Sequence, residues 1–350
     1  MMKSDNELID SAIESLFHKI SKVDIPTIAI SEYNKRYLKE YQKNFYFFMP
    51  LYKQLIQKIL NKLSKPISES NFIDYGGGCG ILSYLAVELG FKKVIYNDIY
   101  EVSVKDTKVI AELINCPIDY FISGDVKDVV DGINAASLQV DVISSFDVLE
   151  HIYDLENWFN EINKLSKPFI ICFMTTANTT NPIINRRLKK IHYQAEYVGS
   201  KRTTDWKERD AALPFLEIRK KMISKQQPKI NDQELILLAK NTRGLFGADI
   251  IESVEKQIRT KEYKQELSHP TNTCDPLTGN WAENSINLKF LKTKIQNKNT
   301  TVQYTNGYYS YSNNKFLNLP KYALNFFIKL FGKQSLFLSP NYTLEVVYKK

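Results

Sequence analysis

Glycine is scarce in this sequence, 13 in 350 residues, and cysteine and histidine are scarcer, four of each. The cysteines, Cys79, Cys116, Cys172 and Cys274, stand far apart and form no CxxC pair. This excludes a disulfide framework and fits a reduced, cytoplasmic setting. Long apolar runs are missing too. The longest, around PFIICFM, is far too short to span a bilayer, and the opening MMKSDNELID is polar and acidic, unlike a secretory signal. The net charge is +8, but the lysines are spread along the chain with no dense basic block. An anionic partner is permitted and nucleic acid is not indicated. There is no internal repeat and no low-complexity tract.

Against that scarcity, four glycines fall between Gly76 and Gly80, in NFIDYGGGCGILSYLAVELG. Glycine loses the most backbone freedom on folding, so such a cluster marks a tight turn or a ligand pressed against bare backbone. A short apolar run, Phe72 to Tyr75, precedes it and reads as a buried strand. Ile81, Leu82, Leu85, Ala86 and Leu89 follow at helical spacing, with Gly90 as a stop. Strand, glycine loop and helix open a doubly wound α/β fold. The unpaired N–H groups of the helix start suit a nucleotide-like ligand.

The alternation continues. KVIYNDI, IDYFISGD, VDVISSF and PFIICFM read as further strands, with helices at VSVKDTKVIAELIN and LENWFNEINKL. Residues 1–70 read as an N-terminal helical cap, with Tyr33, Tyr37 and Tyr41 in a stripe at i, i+4 spacing. Residues 71–179 are the ligand-binding core. Residues 180–280 are too long for a connection and read as a helical insertion. Residues 281–350 return to the core sheet. Asn280, at the boundary, and Glu283 read as a capping box for a helix ENSINLKFLKTKI, TTVQYTNGYYSYS as a strand, LPKYALNFFIKLFG as a helix with Pro320 in its first turn, and YTLEVVYK as the last strand.

A dinucleotide fingerprint would want glycines at 76, 78 and 81, and position 81 is Ile. The letters DYGGGCG instead resemble motif I of the class I S-adenosylmethionine-dependent methyltransferases. Asp98 ends the second strand, where that family places an acid on the ribose hydroxyls. Asp125 follows the third strand, where the family reads the adenine amino group. FDVLEHI resembles the E-x-L-E-H-V segment of the ubiquinone-biosynthesis type of small-molecule methyltransferases, with Asp147 in place of the first Glu. TTAN after the fifth strand is similar to that type's S-T-P-N. The resemblance covers residues 71–178 well and the last 70 in outline.

The resemblance implies a seven-stranded, doubly wound Rossmann-like sheet with an antiparallel final strand, and S-adenosylmethionine as cofactor. It places the cofactor against Asp74, Gly76, Gly78, Gly80, Asp98, Ile99, Asp125, Val126 and Phe146. Asp74 would orient the ammonium of the methionine end. Phe146 and Asp147 would lie beside the adenine and the sulfonium, or be ordinary loop structure. His151 is a general base near the methyl acceptor, or a structural histidine capping the next helix. Tyr33, Tyr37, Asn178 and Trp281 are the expected acceptor-side residues. Arg186, Arg187, Lys189 and Lys190 form a basic helix start, a solvated face or a contact for an anionic substrate group. HPTNTCDPLTGNW invites a metal at His269, Cys274 and Asp275, but a closed site wants four ligands at recognisable spacing, and no metal is expected.

The expected activity is methyl transfer to oxygen on a small molecule or a surface-glycan sugar. N- or C-methylation of a small metabolite is the alternative within enzymes, and a non-catalytic cofactor-binding protein is the alternative outside them. No N-P-P-Y or D-P-P-Y motif follows the fourth strand, which speaks against a nucleic-acid acceptor. The oligomeric state is not written in the sequence.

Overall fold

The computed structural model describes residues 4–200, 213–263, 267, 269–311 and 315–349. The chain divides into two compact units. The first comprises Met1–Leu149, Glu156–Thr176 and Lys292–Lys350, and the second Glu150–Leu155 and Ala177–Leu291.

In chain order the helices and strands are α1 (Asp5–Ile20), α2 (Glu32–Lys43), α3 (Phe45–Leu60), β1 (Asn71–Tyr75), α4 (Ile81–Leu89), β2 (Lys93–Asp98), α5 (Glu101–Leu113), β3 (Tyr120–Ser123), α6 (Val126–Ala135), β4 (Val142–Phe146), α7 (Leu155–Ile162) and β5 (Phe169–Thr175). Then come α8 (Pro182–Tyr193), α9 (Phe215–Gln226), α10 (Asp232–Asn241), α11 (Gly247–Thr260), α12 (Leu288–Ile295), β6 (Thr300–Asn306), α13 (Lys315–Phe331) and β7 (Tyr342–Tyr348).

The first unit is built on one seven-stranded sheet of order β3-β2-β1-β4-β5-β7-β6. β1 to β5 run parallel, and β7 runs antiparallel to both β5 and β6. β1 and β5 are buried along their whole length, as strands covered on both faces must be. This is the α/β fold expected, with the antiparallel last strand. Strand order reverses between β1 and β4, and the crevice beyond their carboxyl ends is where such sheets bind ligands. The N-terminal helices belong to this unit. A Ser4–Glu7 capping box starts α1, which buries Ile9, Ile13, Leu16 and Ile20. Ser31, at the N-cap of α2, and Asn34 both bond the buried Asp106 of α5, Asn34 at 2.7 Å, so the start of α2 is pinned beside α5.

Several local readings need correction. α6 was not anticipated between the third and fourth strands. Its signal is a capping box in which Asp125 and Asp128 bond each other's backbone. Asn280 and Glu283 do not start a helix. Ala282 N–H bonds Thr273 O at 2.9 Å and Asn284 N–H bonds Glu150 O at 2.9 Å, which commits that backbone elsewhere. Glu283 itself sits at φ +61°. α12 begins after Asn287, whose side chain accepts from Phe290 N–H at 3.1 Å. Pro320 lies inside α13 rather than in its first turn, because the helix starts at Lys315. β6 stops at Asn306, as Gly307 N–H turns to Asn341 O. The strand was read as far as residue 312, which lies outside the described residues.

In the second unit the insertion includes two successive helices, α10 and α11, parted by Gly244 at φ +83°. A buried ion pair ties this unit together. Arg219 meets Glu196 at 2.5 Å, and Glu196 also accepts from the Thr273 hydroxyl at 2.7 Å. Broken on one side, such a pair leaves an uncompensated buried charge, so it fixes α9 firmly.

Candidate functional site

The loop after β1 is built from backbone that most residues avoid. Gly76, Gly78 and Gly80 adopt φ of +69°, +55° and +84°. A Cβ on Gly80 would sit 2.7 Å from both Tyr84 and Thr107. Gly78 is different: nothing lies within 4 Å of where its Cβ would be, so bare backbone faces open space. The loop is held in place from below. Gly77 N–H bonds Asn97 O at 2.8 Å, and Gly78 O accepts from the Tyr96 hydroxyl at 2.6 Å and the Thr107 hydroxyl at 3.0 Å. α4 starts directly after Gly80, with its first N–H groups toward the loop.

Three acids flank the loop. Asp98 ends β2 and is buried. Its Oδ2 accepts from Gly78 N–H at 2.9 Å and its Oδ1 from Tyr100 N–H at 2.8 Å. Asp74 is buried in β1 and accepts from Ser83 N–H at 2.9 Å and its hydroxyl at 2.7 Å. Burial pushes its pKa up to about 7 against those two bonds, and the nearby charge of Asp98 adds to the rise. Asp125 is exposed and caps α6, accepting from Lys127 N–H at 2.8 Å. Ile99 is half exposed beside Asp98, whereas the Val126 side chain is buried in the first turn of α6.

At the end of β4, Phe146 stacks on Tyr52 of α3, ring centres 4.7 Å apart and 20° from parallel. The Tyr52 hydroxyl lies 2.7 Å from that of Tyr41. Burial pushes both phenols well above their ordinary range, so both stay neutral. Asp147 adopts φ +53°. Its N–H bonds Met174 O at 2.9 Å, and its carboxylate accepts from Thr176 N–H at 2.6 Å. The two motifs FDVLEHI and TTAN are thus joined through Asp147 and Thr176. Tyr33 and Tyr37 pack edge to face at 4.9 Å, with Arg36 5.0 Å over the Tyr37 ring.

In the second unit His151 Nδ1 lies 2.8 Å from Trp281 O. A carbonyl only accepts, so Nδ1 carries the proton and Nε2 presents its lone pair. Trp281 is held in turn, its indole N–H donating to Tyr153 O at 3.0 Å. Glu150, His151 and Glu283 bring ligating atoms within 4.8 Å of one another. The set His269, Cys274 and Asp275 is spent differently. His269 Nδ1 accepts from Thr271 N–H at 3.3 Å, Cys274 Sγ faces Leu245 O at 3.5 Å, and Asp275 accepts from Leu277 N–H at 2.8 Å. The loop they sit on is ordered by an antiparallel bridge between Cys274 and Trp281. Asn178 is fully buried, and its side-chain oxygen accepts from the Thr180 hydroxyl at 2.5 Å. Arg186, Arg187, Lys189 and Lys190 lie on the exposed side of α8, while His192 is buried and bonds Glu283 O at 2.7 Å.

Residues 47–204 match the family described as methyltransferase domain. This segment is a methyltransferase domain, and its motifs are consistent with the class I S-adenosylmethionine-dependent type. No curated protein sequence matches the chain. Among solved structures, an S-adenosylmethionine-dependent methyltransferase from Mesorhizobium loti is 16% identical over 38% of this chain and 56% of its own, with a TM-score of 0.27. A candidate S-adenosylmethionine-dependent methyltransferase from Listeria monocytogenes is 9% identical over 85% of this chain and 98% of its own, TM-score 0.38. The ribosomal protein L11 methylase of Lactobacillus delbrueckii subsp. bulgaricus is 18% identical over 43% and 72%, TM-score 0.29. Likenesses so distant add no weight. The family match and the motifs carry the assignment.

The methyltransferase domain takes S-adenosylmethionine as its cofactor, and the geometry suits one. The open face of Gly78, the start of α4 and the carboxylate of Asp98 lie together beside the strand-order reversal. Some of its parts escape sequence reading. Ser83, Tyr96 and Thr107 brace the glycine loop and its acids but stand in no motif. Tyr41 continues the Tyr33 and Tyr37 stripe, yet only the fold shows that it and Tyr52 reach the end of β4.

The Asp98→Ala variant should bind S-adenosylhomocysteine about 1–3 kcal/mol more weakly, the usual cost of buried hydrogen-bonding groups left unpaired. Calorimetry on the folded variant checks this, and an unchanged affinity would take the ribose away from Asp98.

Proposed function

We propose that the whole chain is an active enzyme that methylates a hydroxyl group on a small molecule or a sugar unit of a surface glycan. The observation that carries the hydroxyl is His151. Its proton is fixed on Nδ1 by the Trp281 carbonyl, so Nε2 carries the lone pair of a proton acceptor. A hydroxyl must lose its proton during or before attack, and that unprotonated ring nitrogen is suited to take it.

The bound cofactor supplies a methyl group already activated by its positive sulfur. The residues of this chain then have positioning work. Asp98 would hold the ribose hydroxyls, Asp125 the adenine amino group, and Ile99, Val126 and Phe146 the flat base. Asp74 would face the ammonium. Asp147 fixes the chain beyond β4; Tyr33 and Tyr37 of the first unit, and Asn178 and Trp281 of the second, are the candidate acceptor-side residues. Their joint task is to bring the acceptor oxygen to roughly 3–3.5 Å from the methyl carbon with water excluded. The four buried, free cysteines support a reducing, cytoplasmic setting.

The direct test is release of S-adenosylhomocysteine from the full chain over a panel of hydroxylated small molecules and glycans. Turnover only with amines or carbon acids would favour the N- or C-methylating alternative. Tight binding with no turnover on any acceptor class would favour a non-catalytic binding protein.

The raised pKa of Asp74 has a second consequence. An ammonium beside it favours the charged carboxylate, so binding below pH 7 must release a proton. Affinity for S-adenosylhomocysteine is then expected to fall by up to about tenfold per unit as the pH drops below about 7, and to level off above it. The free protein should show the opposite trend from this group. Its native state holds the proton more tightly than the unfolded chain, so stability declines as pH rises from about 4 toward 7. Titrations at pH 6, 7 and 8 check the first point, and a flat dissociation constant would contradict it.

A further inference from the structure

The helix α13 turns its apolar side outward. Phe316 is 84% exposed, Leu319 65%, Phe326 61% and Leu330 62%, while Asn318 and Asn325 are buried at 5% and 6%. At 3.6 residues per turn these four apolar positions fall on one stripe, and the two asparagines fall on the opposite side. Phe327 and Phe331, stacked at 6.1 Å, widen the stripe. The helix is not free to roll over. Asn325 accepts from Tyr309 N–H at 2.8 Å and donates to Tyr309 O at 3.0 Å, which locks the polar side inward. A contiguous apolar face of this kind marks an interaction surface.

Charge identifies the partner. From Gly307 to Leu344 the sequence holds Lys315, Lys321, Lys329 and Lys333 and not one Asp or Glu. Lys329 and Lys333 are exposed. Aromatic and leucine side chains on one face, flanked by lysines without acids, suit a helix lying in the headgroup region of an anionic bilayer. No helix among the described residues is long and apolar enough to cross a membrane, so the contact is with the surface. The register adds an orientation. Asn306 pairs with Tyr342, which pairs with Thr175, so α13 leaves the sheet at the edge where β5 ends. That is also the edge that carries the glycine loop.

We propose that α13 is an interfacial anchor that docks the protein on an anionic lipid surface. Flotation of the full chain with phosphatidylcholine vesicles, with and without phosphatidylglycerol, tests it, and needs no methyl acceptor. The wild type should float at least about tenfold more with the anionic vesicles, less so at high salt. The double variant Phe326→Glu, Leu330→Glu should stay behind while keeping its melting temperature and its affinity for S-adenosylhomocysteine. Lys329→Glu with Lys333→Glu should lose the preference for anionic lipid. No flotation of the wild type, or equal flotation with both vesicle types, would overturn the proposal. So would a wild-type dimer that the Phe326→Glu, Leu330→Glu variant dissociates, since the face would then belong to a second copy of the chain.

Discussion

Alanine at His151 should lower turnover by roughly 10²–10⁴-fold, the usual contribution of a positioned base, and leave cofactor affinity nearly intact. The expectation follows from the tautomer. Trp281 O accepts a hydrogen bond from Nδ1–H at 2.8 Å, so the lone pair sits on Nε2, and alanine removes that acceptor while leaving the glycine loop's own residues unchanged. A structural histidine would behave differently, since its loss would lower the melting temperature and leave turnover per folded molecule intact. The base role also predicts a rate that does not respond to chelation. Loss of activity on chelation, restored by a divalent cation, would instead make His151 a ligand with Glu150 and Glu283, whose atoms already lie within 4.8 Å of it.

Valine at Gly80 should abolish useful cofactor binding, a loss of at least about 100-fold, or about 3 kcal/mol. Gly80 stands at φ +84°, where a β-branched residue is a true outlier. Its Cβ would also meet Thr107 and Tyr84 at 2.7 Å. Thr107 is one of the groups that grip the Gly78 carbonyl, so the clash passes to the residue that faces the ligand. Gly90→Ala is the matched control. It has φ +82° but open space around it, and it ends α4 away from the loop. That variant should lose about 1 kcal/mol of stability and keep its affinity. Equal affinity in Gly80→Val and the wild type would mean that the loop does not hold the cofactor.

The core of the fold was legible because its signals are local. Apolar runs such as Phe72–Tyr75 and Phe169–Met174 can only be buried strands, and glycines at fixed offsets admit few backbone paths. Asp98 was found because the end of a strand is a place, not merely a residue type. Elsewhere the deciding interactions come from far along the chain. Asn280 and Glu283 have the letters of a capping box, but Thr273 and Glu150 claim the neighbouring backbone first. Tyr52 meets Phe146, 94 positions further along the chain, a contact that no periodicity reveals. The outward face of α13 was read simply as helix, because an amphipathic pattern tells which side is apolar and not which way it points. α6 could have been found, since Asp125 and Asp128 stand three apart just ahead of Val129, Val130 and Ile133.

The central claim is that the Gly76–Gly80 loop and Asp98 hold a sulfur nucleoside rather than a dinucleotide. Isothermal titration of the full chain with S-adenosylhomocysteine, S-adenosylmethionine and NAD tests it most directly. The account predicts one saturable site for each sulfur nucleoside, weakened in Asp98→Ala and lost in Gly80→Val, and no heat from NAD. Tight NAD binding with no binding of either sulfur nucleoside would contradict it.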